Sequence, residues 1–188
     1  MSTTFYHQAV LLQECIENLA IRPEGVYVDA TFGGGGHSKE ILKRLGEKGK
    51  LMVFAQDEDA KRNLPEGNRV IFVRENFRYA ARFLRMHRLV ADGVLADLGV
   101  SSFQLDTAER GFSTRFDALL DMRMDRRNPL TAAIILNRYS LQELELVFEK
   151  YGEVTNARGL AEKIVEVRTR MKLQTIQEFK QHTSNLVY

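Results

Sequence analysis

Apolar side chains recur at Val10, Leu11, Cys15, Ile16 and Leu19 within AVLLQECIENLA, residues 9–20. That spacing predicts an amphipathic helix, stopped by Pro23 and Gly25. The period then shortens. Residues 26–30 form a compact apolar run that predicts a strand, and 38–45 return to helical spacing before Gly46. The alternation continues with a strand at 50–55 and a short helix at 57–63, ended by Pro65 and Gly67. A strand at 69–73, a helix at 77–87 and a strand at 92–98 follow. Strand and helix in alternation predict a parallel sheet with right-handed crossovers, an α/β fold.

The pattern changes after Val100. Residues 101–127 are irregular and charged. Asn128-Pro129 predicts an N-cap with proline at the first helical position, opening a helix over 129–138. SLQE at 140–143 and TIQE at 175–178 are capping boxes. The helix after SLQE should end near Tyr151-Gly152, and 155–170 have helical spacing. Two domains are expected, an α/β domain over 1–104 and a helical one over 105–188, with the change of character between 100 and 125. No internal repeat or low-complexity stretch interrupts them.

The chain's 188 residues are 44% hydrophobic and 28% charged, as in ordinary globular domains. A net charge of +2 does not by itself call for a polyanionic partner, so local clusters must carry any such claim. Arg74, Arg78, Arg82 and Arg85 fall on one helical stripe, with His87 and Arg88 near its end. We read that stripe as a solvated face. Arg123, Arg126 and Arg127, beside the boundary loop, are the favoured phosphate contacts. Phe103, Phe112 and Phe116 lie near them and suit either base stacking or a small core. A single cysteine, Cys15, excludes an internal disulfide and a cysteine-based zinc site. Asp57, Asp59 and His37 lack metal-ligand spacing, so no metal is expected. The start MSTTFYHQ has no signal-peptide core, and no apolar run approaches the ~18 residues of a membrane span. A cytoplasmic protein without a membrane partner is the expectation.

The densest chemistry lies in VYVDATFGGGGHSKEIL, 26–42, where a strand runs through Asp29 into four glycines and a helix. Ligands of such sheets bind at strand carboxyl ends, and glycine lets a ligand touch backbone. A phosphate loop would need Gly-Lys-Ser/Thr, and the chain has Gly-His-Ser. The dinucleotide fingerprint is half matched by Gly33, Gly35 and Ser38. S-adenosylmethionine carries an ammonium, which an acid such as Asp29 suits. A bare turn without a ligand is the fourth reading. Asp97, in ADLGVSSFQLD, would project beside the same turn if strand four neighbours strand one, though it also suits a plain loop cap. Two carboxylates at one crevice suit a sulfonium cofactor and a substrate amine.

Taken together, HQAVLLQE, YVDATFGGGGHS, DGVLADLGVSSFQLD, ERGFS, LDMRMD and YGE resemble the bacterial 16S rRNA (cytosine-N4)-methyltransferase family, the RsmH or MraW type, from His7 to about Arg168. The resemblance implies a class I methyltransferase fold, Rossmann-like, with a helical insertion after strand four. It implies methyl transfer from S-adenosylmethionine to the N4 amine of a cytidine in 16S rRNA of the small ribosomal subunit. By motif position Gly35, Gly36 and His37 would line the methionine end, with Gly33 in the same turn and Asp29 balancing its charge. Phe77 would lie near the adenine, and Asp97 and Gln104 would complete the pocket. The cytosine amine is a poor nucleophile that must be held in line and relieved of a proton, for which Asp97, Ser101 and Ser102 are candidates.

Two departures qualify that resemblance. Where the family pattern has aspartate-x-aspartate after strand two, gripping the ribose, this chain has Ala55 and retains only Asp57. The family's chain also continues further and adds strands to the sheet. Four strands in the order 3-2-1-4 would leave strand four as an open apolar edge, inviting instability or a homodimer that covers it. An impaired remnant that binds RNA or a partner without methylating is therefore the competing function. A nicotinamide-dependent oxidoreductase has less support, because no residue suits the hydride-transfer side.

Overall fold

A computed structural model of the protein describes residues 9–186. The first eight residues, including His7 and Gln8 of HQAVLLQE, and the last two of TSNLVY lie outside them. The chain divides between Ser101 and Ser102 into two compact units.

The first unit is a parallel four-stranded sheet ordered β3-β2-β1-β4. Its strands are β1 (Val26–Asp29), β2 (Lys50–Phe54), β3 (Val70–Val73) and β4 (Gly93–Leu95). Side chains of β2 alternate between two cores. Leu51 and Val53 join Tyr27, Phe32, Ile16 of α1 (Leu12–Asn18) and Ile41 and Leu42 of α2 (Gly36–Arg44). Met52 and Phe54 join Val28 and Val73 under α3 (Ala80–Met86), where Phe83 meets the Phe54 ring edge-on with centroids 5.9 Å apart. Burial on both faces is why β2 reads as a continuous apolar run rather than an alternating one. The fold is thus α/β and Rossmann-like, as expected.

Three differences from the sequence patterning have local causes. The first helix begins at Leu12, not at residue 9, because Leu11 takes the left-handed conformation (φ 48°) as its N-cap. Residues 57–63 and the start of the 77–87 segment are 3-10 turns, Glu58–Asn63 and Phe77–Tyr79, capped by the side chains of Asp57 and Asn76. β4 holds only three residues and pairs only with β1. Val94 is 59% exposed and Leu98 71%, so the open apolar edge is present.

The second unit is helical: α4 (Ser102–Asp106), a 3-10 turn at Ala108–Arg110, α5 (Ala132–Arg138), α6 (Leu141–Gly152), α7 (Ala157–Arg168) and α8 (Ile176–Thr183). Leu120, Leu136, Leu144, Leu160, Ile164 and Leu173 form its core. Both capping boxes exist, Ser140 with Glu143 and Thr175 with Glu178. The helix expected from 129 starts at Ala132 instead. Thr131 caps it by accepting from the Ile134 N–H at 3.2 Å, and Asn128 spends its side chain on the Leu130 N–H at 3.0 Å. Glu153, at φ 51°, rather than Gly152, makes the left-handed exit from α6. The 101–127 stretch, irregular by pattern, contains α4 and the fully buried Arg110, which donates to the Arg123 carbonyl at 2.9 Å and lies over the Phe112 ring. No helix among the described residues is long and apolar enough to cross a membrane.

Candidate functional site

In the first unit the carboxyl ends of all four strands form one edge. Asp29 ends β1 and is only 3% exposed. One carboxylate oxygen accepts from the Thr31 N–H at 3.1 Å, and the other accepts from the Ser38 hydroxyl at 2.6 Å. The side chain therefore ties the strand end to the first turn of α2. Burial dominates its titration and raises the Asp29 pKa above the ordinary carboxyl value; the Ser38 and Thr31 hydrogen bonds oppose that rise, and nearby Asp97 adds to it. Asp97 is exposed, and its N–H donates to the Thr31 hydroxyl oxygen at 2.7 Å. Strand four does neighbour strand one, with Leu95 opposite Asp29. Asp29, however, does not face solvent. Its carboxylate shapes the turn, and Asp97 is the acid at the open edge.

Three of the four glycines serve different ends. Gly35 is the left-handed N-cap of α2 (φ 77°), and a Cβ there would lie 3.1 Å from the Asn63 carbonyl. A Cβ on Gly36 would stand 2.9 Å from the Ala9 Cβ. At Gly33 the nearest atom to such a Cβ is 4.0 Å away, so this position has room for a ligand. The Gly33 carbonyl accepts from the Asn63 side chain at 2.9 Å, which clamps the turn. His37 is buried, with Nε2 3.0 Å from the Val10 carbonyl, and pins the approach to α1.

On the other side of β1, Ala55 is buried on the same core as Leu51 and Val53, and its N–H donates to Val73 at 3.1 Å. Asp57 accepts from the Asp59 N–H at 3.2 Å as a local cap. Asp57 follows the end of β2 at Phe54 and serves as the N-cap of the 3-10 turn. Phe77 opens the turn after β3 and is 38% exposed. Following the strand order, the edge presents Phe77, Asp57, Asp29 with the glycine turn, and Asp97.

The remaining candidates fall at or beyond the division of the chain. Ser101 ends the first unit, and Ser102 opens α4 in the second. Gln104 is buried in the second unit, its amide 3.5 Å from the Met124 sulfur. The arginine cluster favoured for phosphate is largely neutralised. Arg123 pairs with Asp121 at 2.6 Å, holding that carboxyl below its ordinary pKa, and Arg127 pairs with Asp125 at 2.8 Å. Thr31, Ser38 and Asn63 organise the edge without having been sequence candidates for these contacts. Asn63 reaches Gly33 across 30 residues, beyond any local pattern. No group of three or more His, Cys, Asp or Glu among the described residues could hold a metal ion.

The profile of the MraW methylase family matches residues 4–187. The chain is 55% identical over 183 residues to a protein of Flavobacterium johnsoniae named ribosomal RNA small subunit methyltransferase H, covering 96% of this chain and 61% of that protein. A Bacteroides fragilis protein of the same name is 54% identical over 177 residues, covering 94% and 58%. One from Christiangramia forsetii is 49% identical over 184 residues, covering 97% and 61%. The chain thus spans about three fifths of the length of these relatives.

Proposed function

Because the chain belongs to the MraW methylase family, we propose that it binds S-adenosylmethionine along the carboxyl edge of its sheet and serves the methylation of a cytidine N4 amine in 16S rRNA. The observation that carries this is the exposed Asp97, held by Thr31 two residues before the open Gly33. An acid and bare backbone one strand apart suit a ligand with an ammonium and a carboxylate. When bound, the cofactor supplies an electrophilic methyl group on a sulfonium. The protein's part is to hold the amine in line with it, since orientation is a large share of such a barrier.

Asp97 is the acceptor for an amine proton or the partner of the cofactor's ammonium. Ser101 is the neighbouring acceptor in the first unit; Ser102 and Gln104, which the resemblance assigns to the amine and to the cofactor pocket, belong to the second unit. Gly33, Gly35, Gly36 and His37 shape the methionine end, the last three chiefly by holding the turn. Phe77 offers an exposed ring for the adenine, and Asp57 is the acid nearest in sequence to the ribose position. In this reading residues 1–104 are the cofactor domain and 105–188 recognise substrate. The small ribosomal subunit is the partner, in keeping with the names of the relatives.

Ala55 supports a second reading. Without a strand-end acid the ribose hydroxyls lose charge-assisted hydrogen bonds worth about 1.5–3 kcal/mol each. The chain would then bind RNA or a partner and not methylate. Incubation with small ribosomal subunits and methyl-tritiated S-adenosylmethionine, followed by digestion to nucleosides, separates the two. Label in N4-methylcytidine is the expected result. Label nowhere, with RNA binding intact, supports the second reading.

A further inference from the structure

Between Asn76 and Ala91 the chain carries four arginines, Arg78, Arg82, Arg85 and Arg88, and no Asp or Glu, although its overall charge is only +2. All four are exposed on the 3-10 turn, on α3 or just beyond it. The opposite side of this segment packs Ala80, Phe83, Leu84 and Leu89 against the sheet. Arg82 and Arg85 lie three apart on α3, Arg78 sits on the 3-10 turn before it, and Arg88 follows the His87 C-cap in the left-handed conformation (φ 56°), so the four line one short surface segment.

Several exposed cations elsewhere sit beside acids, Lys43 and Arg44 with Glu40, Arg62 with Asp59, Arg158 with Glu162, Lys163 and Arg170 with Glu166, and the exposed cations without such a partner are scattered singly. Among the described residues none of the four stripe arginines has a carboxylate partner; Arg78 instead donates to the Tyr79 hydroxyl at 2.8 Å. Like charges three and four apart destabilise a helix. A segment whose seven-residue helix holds two of them, with one before and one after and no interleaved acid, suits an external anion. The segment starts next to Phe77, at the strand-end edge, whereas Arg123 and Arg127 of the other cluster already face Asp121 and Asp125.

We propose that the outer face of α3 and the turns beside it, through Arg78, Arg82, Arg85 and Arg88, docks the phosphate backbone of ribosomal RNA flanking the nucleotide addressed at the strand-end edge. This rests on the RNA-substrate reading above. Phosphates of a polynucleotide follow one another closely enough for a segment with four arginines to meet several.

The test is fluorescence anisotropy of a labelled 20-nucleotide oligouridylate with the full chain, titrated across sodium chloride concentrations. The triple variant Arg82→Gln/Arg85→Gln/Arg88→Gln is compared with Lys43→Gln/Lys163→Gln/Arg170→Gln, which removes three paired cations. Glutamine matches arginine in helix propensity, so both variants should melt like the parent. Each lost phosphate contact on a single strand flattens the log–log salt slope by about 0.7, so the stripe variant should lose about 2 in slope and bind about fiftyfold more weakly at 0.15 M salt. The control should stay within about twofold of the parent. A stripe variant that keeps the parent's slope overturns the proposal, as does equal weakening of both variants or a parent that binds no RNA at low salt. Cofactor titration of the same samples is independent. Cofactor binding with an unchanged salt slope removes this inference and leaves the methyltransferase reading standing; the reverse pattern does the opposite.

Discussion

Replacing Ser38 with alanine should cost more than a lost surface hydroxyl, because it leaves the Asp29 carboxylate short of a donor in the interior. Ser38 is fully buried, its hydroxyl lies 2.6 Å from Asp29, and Asp29 itself is 3% exposed, so water has little access to the vacated oxygen. A hydrogen bond to a charged group is worth about 1.5–3 kcal/mol, and for a unit of roughly 100 residues each kcal/mol moves Tm by about 4–8 °C. A loss of about 2 kcal/mol, or roughly 10 °C, is expected at pH 7. The Ser38 bond also pulls the Asp29 pKa down against burial. Without it that pKa rises further, so the penalty should shrink in acid, where Asp29 is protonated in parent and variant alike. Urea unfolding of the parent, Ser38→Ala, Asp29→Asn and the double variant, followed by far-ultraviolet circular dichroism and tyrosine fluorescence, gives the coupling directly. We expect about 1–2 kcal/mol of coupling. A Ser38→Ala protein within about 0.5 kcal/mol of the parent at pH 7, or a penalty independent of pH, refutes the reasoning.

Asp29→Asn tests the sign of the same linkage. Burial raises the folded-state pKa above 3.8, so this group's stabilising share is full below that value and is lost as pH rises through the folded pKa. Asparagine has no such loss, and the Tm of the variant minus that of the parent should become more positive from pH 4 to pH 7; a constant difference contradicts it. Gly36→Ala should destabilise by about 1–3 kcal/mol and speed amide exchange near residues 10–12, since its Cβ would stand 2.9 Å from Ala9. Gly33→Ala meets nothing nearer than 4.0 Å and should leave stability within about 0.5 kcal/mol while weakening cofactor binding; equal destabilisation by both would show that the turn was misread. Exposed Val94 on β4, exposed Leu98 three residues past its end, and the unpaired edge of β4 favour a second copy of the chain. Sedimentation should show concentration-dependent self-association that Val94→Lys reduces, whereas a monomer at every concentration rules that out.

Much of the fold was legible because its signals are local or periodic. The unbroken apolar run of β2 reflects burial on both faces, and the boxes at Ser140 and Thr175 need only four residues each. Where two local signals competed, patterning could not choose. Asn128-Pro129 and Thr131 are both good helix starts, and the backbone contacts of Ala132 and Ala133 with Asp121 and Leu120 side with Thr131. The site was legible as a strand edge but not in its division of labour. Asp29 and Asp97 look alike in sequence, and only the three-dimensional position of Thr31 and Ser38 makes one internal and the other exposed. The glycine at 36 has a packing reason that patterning does not show, since a Cβ there would meet Ala9. The proposal favours the arginines of 78–88 over the Arg123 cluster on a difference already written in the chain: DMRMDRR has an acid two residues before Arg123 and another two before Arg127, whereas the 76–91 stretch has none.

The most direct test of the account is calorimetric titration of the chain with S-adenosylmethionine beside its Ala55→Asp variant. The strand-end edge as described, with Gly33 open and Asp97 exposed, predicts saturable one-site binding that tightens tenfold or more in the variant, as one or two added charge-assisted bonds at about 1.4 kcal/mol per decade require. Absence of binding by both proteins, with their folding intact, would contradict the claim that this edge is the cofactor site.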